Sequence, residues 1–264
     1  MTDWHAVKAD DYAVPEGVDR HALVEELAAM LASPDPVQRD ELAYSILATW
    51  IDRGVLDDDA CHRLGDEMAS RMSAGDVWVR TFAPLILDCL VSRGPFDPAW
   101  AAAFERWYAA EPDLRGHDPE LGWLHAVAHG ADLLAVLGQH SEVDPVPMLD
   151  LAANRLVTPT QAVWRDGEDE RLGYAIALTL TRSELSDTDS ICWIQAVEDS
   201  WTAREPGPPP AWVSNASRTL RMVLGLTLTG VRPSGTPEPL PLAHAEAVRD
   251  RLLSALRTLT PYMW

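Results

Sequence analysis

Lysine is nearly missing from this 264-residue chain: Lys8 alone stands among 21 basic residues, against 41 acidic ones. Schiff-base chemistry, pyridoxal enzymes and Walker-type phosphate loops need a positioned lysine, and none exists beyond the N-terminal segment. The formal charge of −20 repels phosphate backbones and anionic headgroups, so neither nucleic acid nor a membrane surface is an expected partner. Cys61, Cys89 and Cys192 are odd in number and far apart. With no C-x-x-C they argue against a thiolate zinc site and a disulfide framework, and they suit a reducing cytoplasm, where the protein is expected to reside. No apolar run approaches the length of a membrane span, and "MTDWHAVKADDYAVPEG" lacks the apolar core of a secretion signal. Also missing are G-x-G-x-x-G and G-x-S-x-G, the common nucleotide-binding and hydrolase signatures. Strand-like alternation is almost nowhere.

Helical periodicity is everywhere instead, carried by Ala and Leu. Asp-Pro pairs at Asp35-Pro36, Asp97-Pro98, Asp118-Pro119 and Asp144-Pro145 read as helix starts. An aspartate accepts from free backbone N–H groups there, and proline loses nothing at the first helical position. Gln38 adds a capping-box arrangement after Asp35. Gly54 and Gly94 sit where left-handed C-caps are expected.

A period emerges when the segments are aligned. "RDELAYSILATWIDRG", "VRTFAPLILDCLVSRG", "HAVAHGADLLAVLG", "ERLGYAIALTLTR" and "SRTLRMVLGLTL" start at Arg39, Val79, His125, Glu170 and Ser217, spacings of 40, 46, 45 and 47 residues. Shorter amphipathic helices are predicted near 19–32, 58–73, 98–110, 145–156 and 188–203, with a last one near 242–259. Helix pairs at this period predict an all-α fold, a HEAT/armadillo-like α-solenoid of about five pairs, in which stacking buries the faces no single pair can cover. The alternative is a globular helical bundle. We expect residues 1–18 to form an N-terminal arm and 19–264 one helical repeat domain. Proline-rich stretches at 205–210 and 231–240, and "TPTQAVWRDGED" at 158–169, read as loops. Those at 158–169 and 205–210 are candidate lids.

"DDYAVPEG", "SPDPVQRDELAYSILATWI", "VWVRTFAPLIL" and above all "LRGHDPELGWLHAVAHGADLL" resemble an uncharacterised bacterial family, domain of unknown function 2785, over residues 12–181. The resemblance implies an all-helical repeat fold and no particular activity or catalytic residue.

The site must come from chemistry. In a solenoid the second helix of each pair usually lines the concave face. Polar groups recur near the starts of these helices: Asp40 and Tyr44, Arg80, His125 and His129, Arg171 and Tyr174, Arg218 and Arg221. Trp78 precedes Arg80, and Trp123 precedes His125, at one offset. Asp40 with Arg80, and Asp132 with Arg171, would make an inter-helix ladder; alternatively the arginines clamp an anion. Tyr44 and Tyr174 read either as pocket walls or as core residues with a bonded hydroxyl.

The sharpest feature is "GWLHAVAHGADLL", an apolar helix but for His125, His129 and Asp132, which fall within about 60° of one another on a helical wheel. Three readings stay open. Asp132 orients His129 as a general base with His125 as a second acid or base; or His125 and His129 bind a metal, although Ala126 stands where H-E-x-x-H has its glutamate; or the stripe is a satisfied structural cluster. No other cofactor is implied. His117 is a further candidate above the same groove. The expectation is a pocket centred on His125, His129 and Asp132, walled by Trp78 and Trp123 and flanked by Arg80 and Arg171. It would take a small molecule or short peptide; the alternatives are an enzyme (hydrolysis, isomerisation or cyclisation) and a protein-interaction scaffold.

Overall fold

The helix starts follow the aspartates. In the computed structural model, which describes residues 2–205 and 207–263, Asp19, Asp57, Asp97 and Asp144 each accept a backbone N–H of the first turn of the helix they precede. The helices are α1 (Trp4–Ala9), α2 (Arg20–Met30), α3 (Ser45–Asp52), α4 (Asp58–Arg71), α5 (Val77–Arg93), α6 (Pro98–Ala110), α7 (Ala126–Gln139), α8 (Pro145–Val157), α9 (Glu168–Thr179), α10 (Asp187–Thr202), α11 (Ala211–Thr229) and α12 (Ala245–Leu259). A π-wound segment, Val37–Tyr44, runs directly into α3. The fold is all-α, with one two-residue hairpin, β1 (His117–Asp118) and β2 (Gly122–Trp123), among the described residues. No helix there is long and apolar enough to cross a membrane.

Helices pack both on their neighbours in sequence and on the next but one. Helices α3, α5, α7, α9 and α11 contact one another in order, as do α4, α6, α8, α10 and α12. Small residues let the two rows close. A Cβ at Gly130 would lie 2.1 Å from the Tyr108 ring, so α7 presses its backbone onto α6. Tyr108 then donates its hydroxyl to the Val127 carbonyl at 3.0 Å, which pairs the one polar atom of a fully buried ring. The segment read as an arm carries α1. Its Trp4 is buried edge-on to Trp50 at 6.0 Å and donates its indole N–H to Glu26.

Two expectations fail at the same place. Asp118-Pro119 starts no helix: the Asp118 carboxylate accepts the Glu120 and Leu121 N–H groups, closing a turn, as aspartate side chains do. The helix expected from Gly122 begins only at Ala126, because Gly122 has φ +72° and His125 sits in the left-handed region (φ 47°, ψ 33°). His125 is thus the residue before the helix, not a member of its stripe.

The loops also differ from expectation. Residues 158–169 are no free lid. Trp164 is buried, and Asn215 ties the segment down, accepting the Trp164 N–H and donating to the Ala162 carbonyl. Of the candidate lid at 205–210, Pro206 lies outside the described residues. The 231–240 loop is closed by paired backbone bonds between Val231 and Leu240, and the Tyr174 hydroxyl donates to its Arg232 carbonyl.

Candidate functional site

Pro84 lies inside α5. It has no N–H to offer the Arg80 carbonyl and crowds the turn before it. From this turn the Thr81 carbonyl accepts the Nδ1–H of His129 at 2.9 Å. A carbonyl only accepts, so the bond places the proton on Nδ1 and leaves Nε2 with its lone pair. His129 is 5 % exposed. Burial, with His125 beside it, holds its pKa well below the ordinary value, so the ring is neutral at pH 7. Phe82 meets it edge-on at 5.0 Å.

Asp132 does not orient His129. It is gripped by Arg171 through both Nε and a terminal nitrogen, one rung of the anticipated ladder. The other rung does not form. Asp40 pairs with its neighbour Arg39 at 2.7 Å, and Arg39, wholly buried, also donates to the Leu121 carbonyl at 2.6 Å. Burial lifts the Asp40 pKa to about 6 despite that guanidinium. Arg80 instead makes a two-pronged pair with Glu111 at 2.7 and 2.9 Å. Glu111 is nearly fully buried and also accepts the Trp107 indole N–H. Arg80 is therefore occupied and is no anion clamp. Trp78 donates to the Ala32 carbonyl, Tyr44 is half-buried and edge-on to Phe82, and Arg218 pairs with Asp169.

His125 faces different company. Trp123 stacks on it at 4.4 Å, His117 is edge-on to Trp123 and His129 edge-on to His125. Its Nε2 is 3.5 Å from Glu168 Oε1, and Asp166 completes a trio whose ligand-type atoms all lie within 4.8 Å of one another. The 158–169 loop delivers both carboxylates, which sequence reasoning missed. The signal was the acidic run "DGED" entering the next inner helix, and only the fold brings it to His125. Burial works to raise the Glu168 pKa, but His125 and the backbone N–H groups of Glu168 and Asp166 overcome it, so the carboxyl titrates below its ordinary value.

A groove with a volume of about 700 Å³ lies elsewhere. Asp88 and Val91 of α5, Asp132, Ala135 and Val136 of α7, Tyr174 and Leu178 of α9, and the loop residues Pro233, Ser234 and Gly235 line it. Of the anticipated pocket residues, Asp132 and Tyr174 reach it; His125, His129, Trp78, Trp123 and Arg80 do not line it. Its volume falls within the range of small-molecule sites. Among the described residues no cation pairs with Asp88, which accepts one long bond, 3.4 Å, from the Ser92 hydroxyl. Burial, together with the Asp132 charge, lifts the Asp88 pKa to about 6.

Comparison with known proteins places the chain in a family and adds no chemistry. No curated relative matches the chain. A crystal structure of an engineered protein is similar at 16 % identity, over 90 % of this chain and 96 % of that one, with a TM-score of 0.41. The model of the family described as "protein of unknown function (DUF2785)" matches residues 68–224. That stretch leaves out the amino-terminal motifs of the resemblance and runs beyond it through α10 into α11. The chain belongs to this DUF2785 family.

Proposed function

We propose that this is a HEAT-like helical-repeat protein that binds a small organic cation in the groove between α5, α7 and α9, beneath the 231–240 loop. The two rows of alternate helices support the repeat reading. They leave the inner row to face the ligand, as stacked helix pairs generally do.

The observation that carries the ligand class is Asp88. A half-buried carboxylate without a cation partner, beside a second carboxylate already spent on Arg171, is costly to ionise. A ligand ammonium would supply the missing counter-charge, and Val91, Ala135, Val136 and Leu178 would receive its apolar body. The Tyr174 hydroxyl bonds the loop over the groove, a contact that can open for entry. His125 and His129 take no part in this reading.

Thermal unfolding with benzylamine, and with benzyl alcohol as the uncharged match, tests it. The amine is expected to raise the midpoint of the wild type and not that of Asp88→Asn, while the alcohol moves neither. Equal shifts by both compounds, or an amine shift that survives in Asp88→Asn, would refute the cation reading.

A further inference from the structure

We propose that His125, Asp166 and Glu168 form a binding site for one divalent transition-metal ion, separate from the groove. Two observations carry this. The first is a distance. His125 Nε2 and Glu168 Oε1 are 3.5 Å apart, too far for a good hydrogen bond. Two donors at about 2.1 Å from a tetrahedral ion are about 3.4 Å apart. All three donor atoms lie within 4.8 Å of one another, so Asp166 has at most about 1.4 Å to close, a movement open to its side chain, which is 26 % exposed.

The second is an orphan. The His125 side chain is 8 % exposed, yet its buried Nε2 has no hydrogen-bond partner. A buried polar atom left so is expensive, and this one faces two carboxylates. An ion would satisfy it.

The surroundings are built to hold the donors still. The Gly116 carbonyl accepts the N–H groups of Leu124 and His125, while a Cβ on Gly116 would lie 2.4 Å from Glu168 Oε1 and 2.5 Å from Asp166 Oδ2. The glycine thus lets the backbone that anchors His125 come down directly on the carboxylates. Glu168 Oε2 accepts the Asp166 N–H at 2.8 Å, which orients one carboxylate and leaves its other oxygen toward His125. His125 itself is held in the left-handed region, a conformation that costs a non-glycine residue energy and is found disproportionately at functional sites. One imidazole and two carboxylates suit Zn²⁺, Mn²⁺ or Fe²⁺ over Ca²⁺ or Cu⁺. Three protein ligands leave a position open, as catalytic metal sites do.

The test is calorimetric titration of Zn²⁺ and of Mn²⁺ into the metal-stripped full chain, repeated on Asp166→Asn, Glu168→Gln and His125→Asn. Asparagine is chosen at 125 because it tolerates the left-handed conformation. One equivalent of at least one ion should bind, with affinity weakened at least tenfold in each variant. The metal-free unfolding midpoint of Asp166→Asn should match wild type, because that side chain has little to lose without the ion. If neither ion binds at one equivalent, the trio is a buried ion pair and the proposal fails. It also fails if binding persists unchanged in Asp166→Asn and His125→Asn, since exposed carboxylates would then hold the ion. Neither result bears on benzylamine, so this site and the groove stand or fall separately.

Discussion

His129 spends its Nδ1–H on the Thr81 carbonyl, 2.9 Å away on the neighbouring inner helix. A ring so bound, walled by Phe82 and kept neutral by burial, fastens α7 to α5. Replacing His129 with alanine removes that bond and opens a cavity in the seam, so the expected loss is about 2–4 kcal/mol. Chemical denaturation measures it. An unchanged unfolding free energy would contradict the structural role.

Arg80 and Glu111 make the sharper case for a side chain that looks available for a ligand and is not. The glutamate side chain is 1 % exposed, so it depends on this guanidinium and on the Trp107 indole. Arg80→Met strands a buried carboxylate and should cost about 3–5 kcal/mol. Arg80→Met with Glu111→Gln should recover part of that loss. A double variant no more stable than the single one would show that the pairing is not the source of the effect.

Asp88 carries a pH signature. Its carboxyl titrates at about 6 in the folded protein and near 4 in an unfolded chain. Between these values the folded state holds the extra proton, so acid favours folding and rising pH weakens it. The penalty is absent below pH about 4 and complete above pH about 6. Asp88→Asn should therefore be more stable than wild type at pH 7.5, by about 1–2 kcal/mol, and the advantage should vanish towards pH 4. Thermal melts of both proteins across this range check it. The variant that gains stability is the one expected to lose the amine, the usual sign of a residue kept for function.

The helices were legible because their signals are local. Aspartate caps, proline at first positions and the recurring Ala/Leu stripe mark α6 and α8 nearly to the residue; α2, α4 and α10 fall within two residues of expectation, and α12 starts three residues late. What sequence missed is tertiary. Nothing in the composition of "GWLHAVAHG" announces that His125 leaves the helix, since the left-handed residue there is not glycine. A two-residue hairpin is too short for alternation to register. The Asp132–Arg171 rung was readable from equivalent positions in neighbouring repeats. The Asp40–Arg80 rung was not, because Arg39 and Glu111 are nearer partners that no period encodes. Asp166 and Glu168 reach His125 only once the 158–169 loop is folded down by Asn215.

The central claim is that the groove between α5, α7 and α9 takes a small cation on Asp88. Amide chemical shifts of isotope-labelled protein titrated with benzylamine test it most directly. The account predicts saturable shifts at Ala135, Val136, Gln139 and Gly235, all on the groove wall, and their loss in Asp88→Asn. Shifts gathered instead around His125 and Trp123, or spread without saturation over the acidic surface, would contradict it.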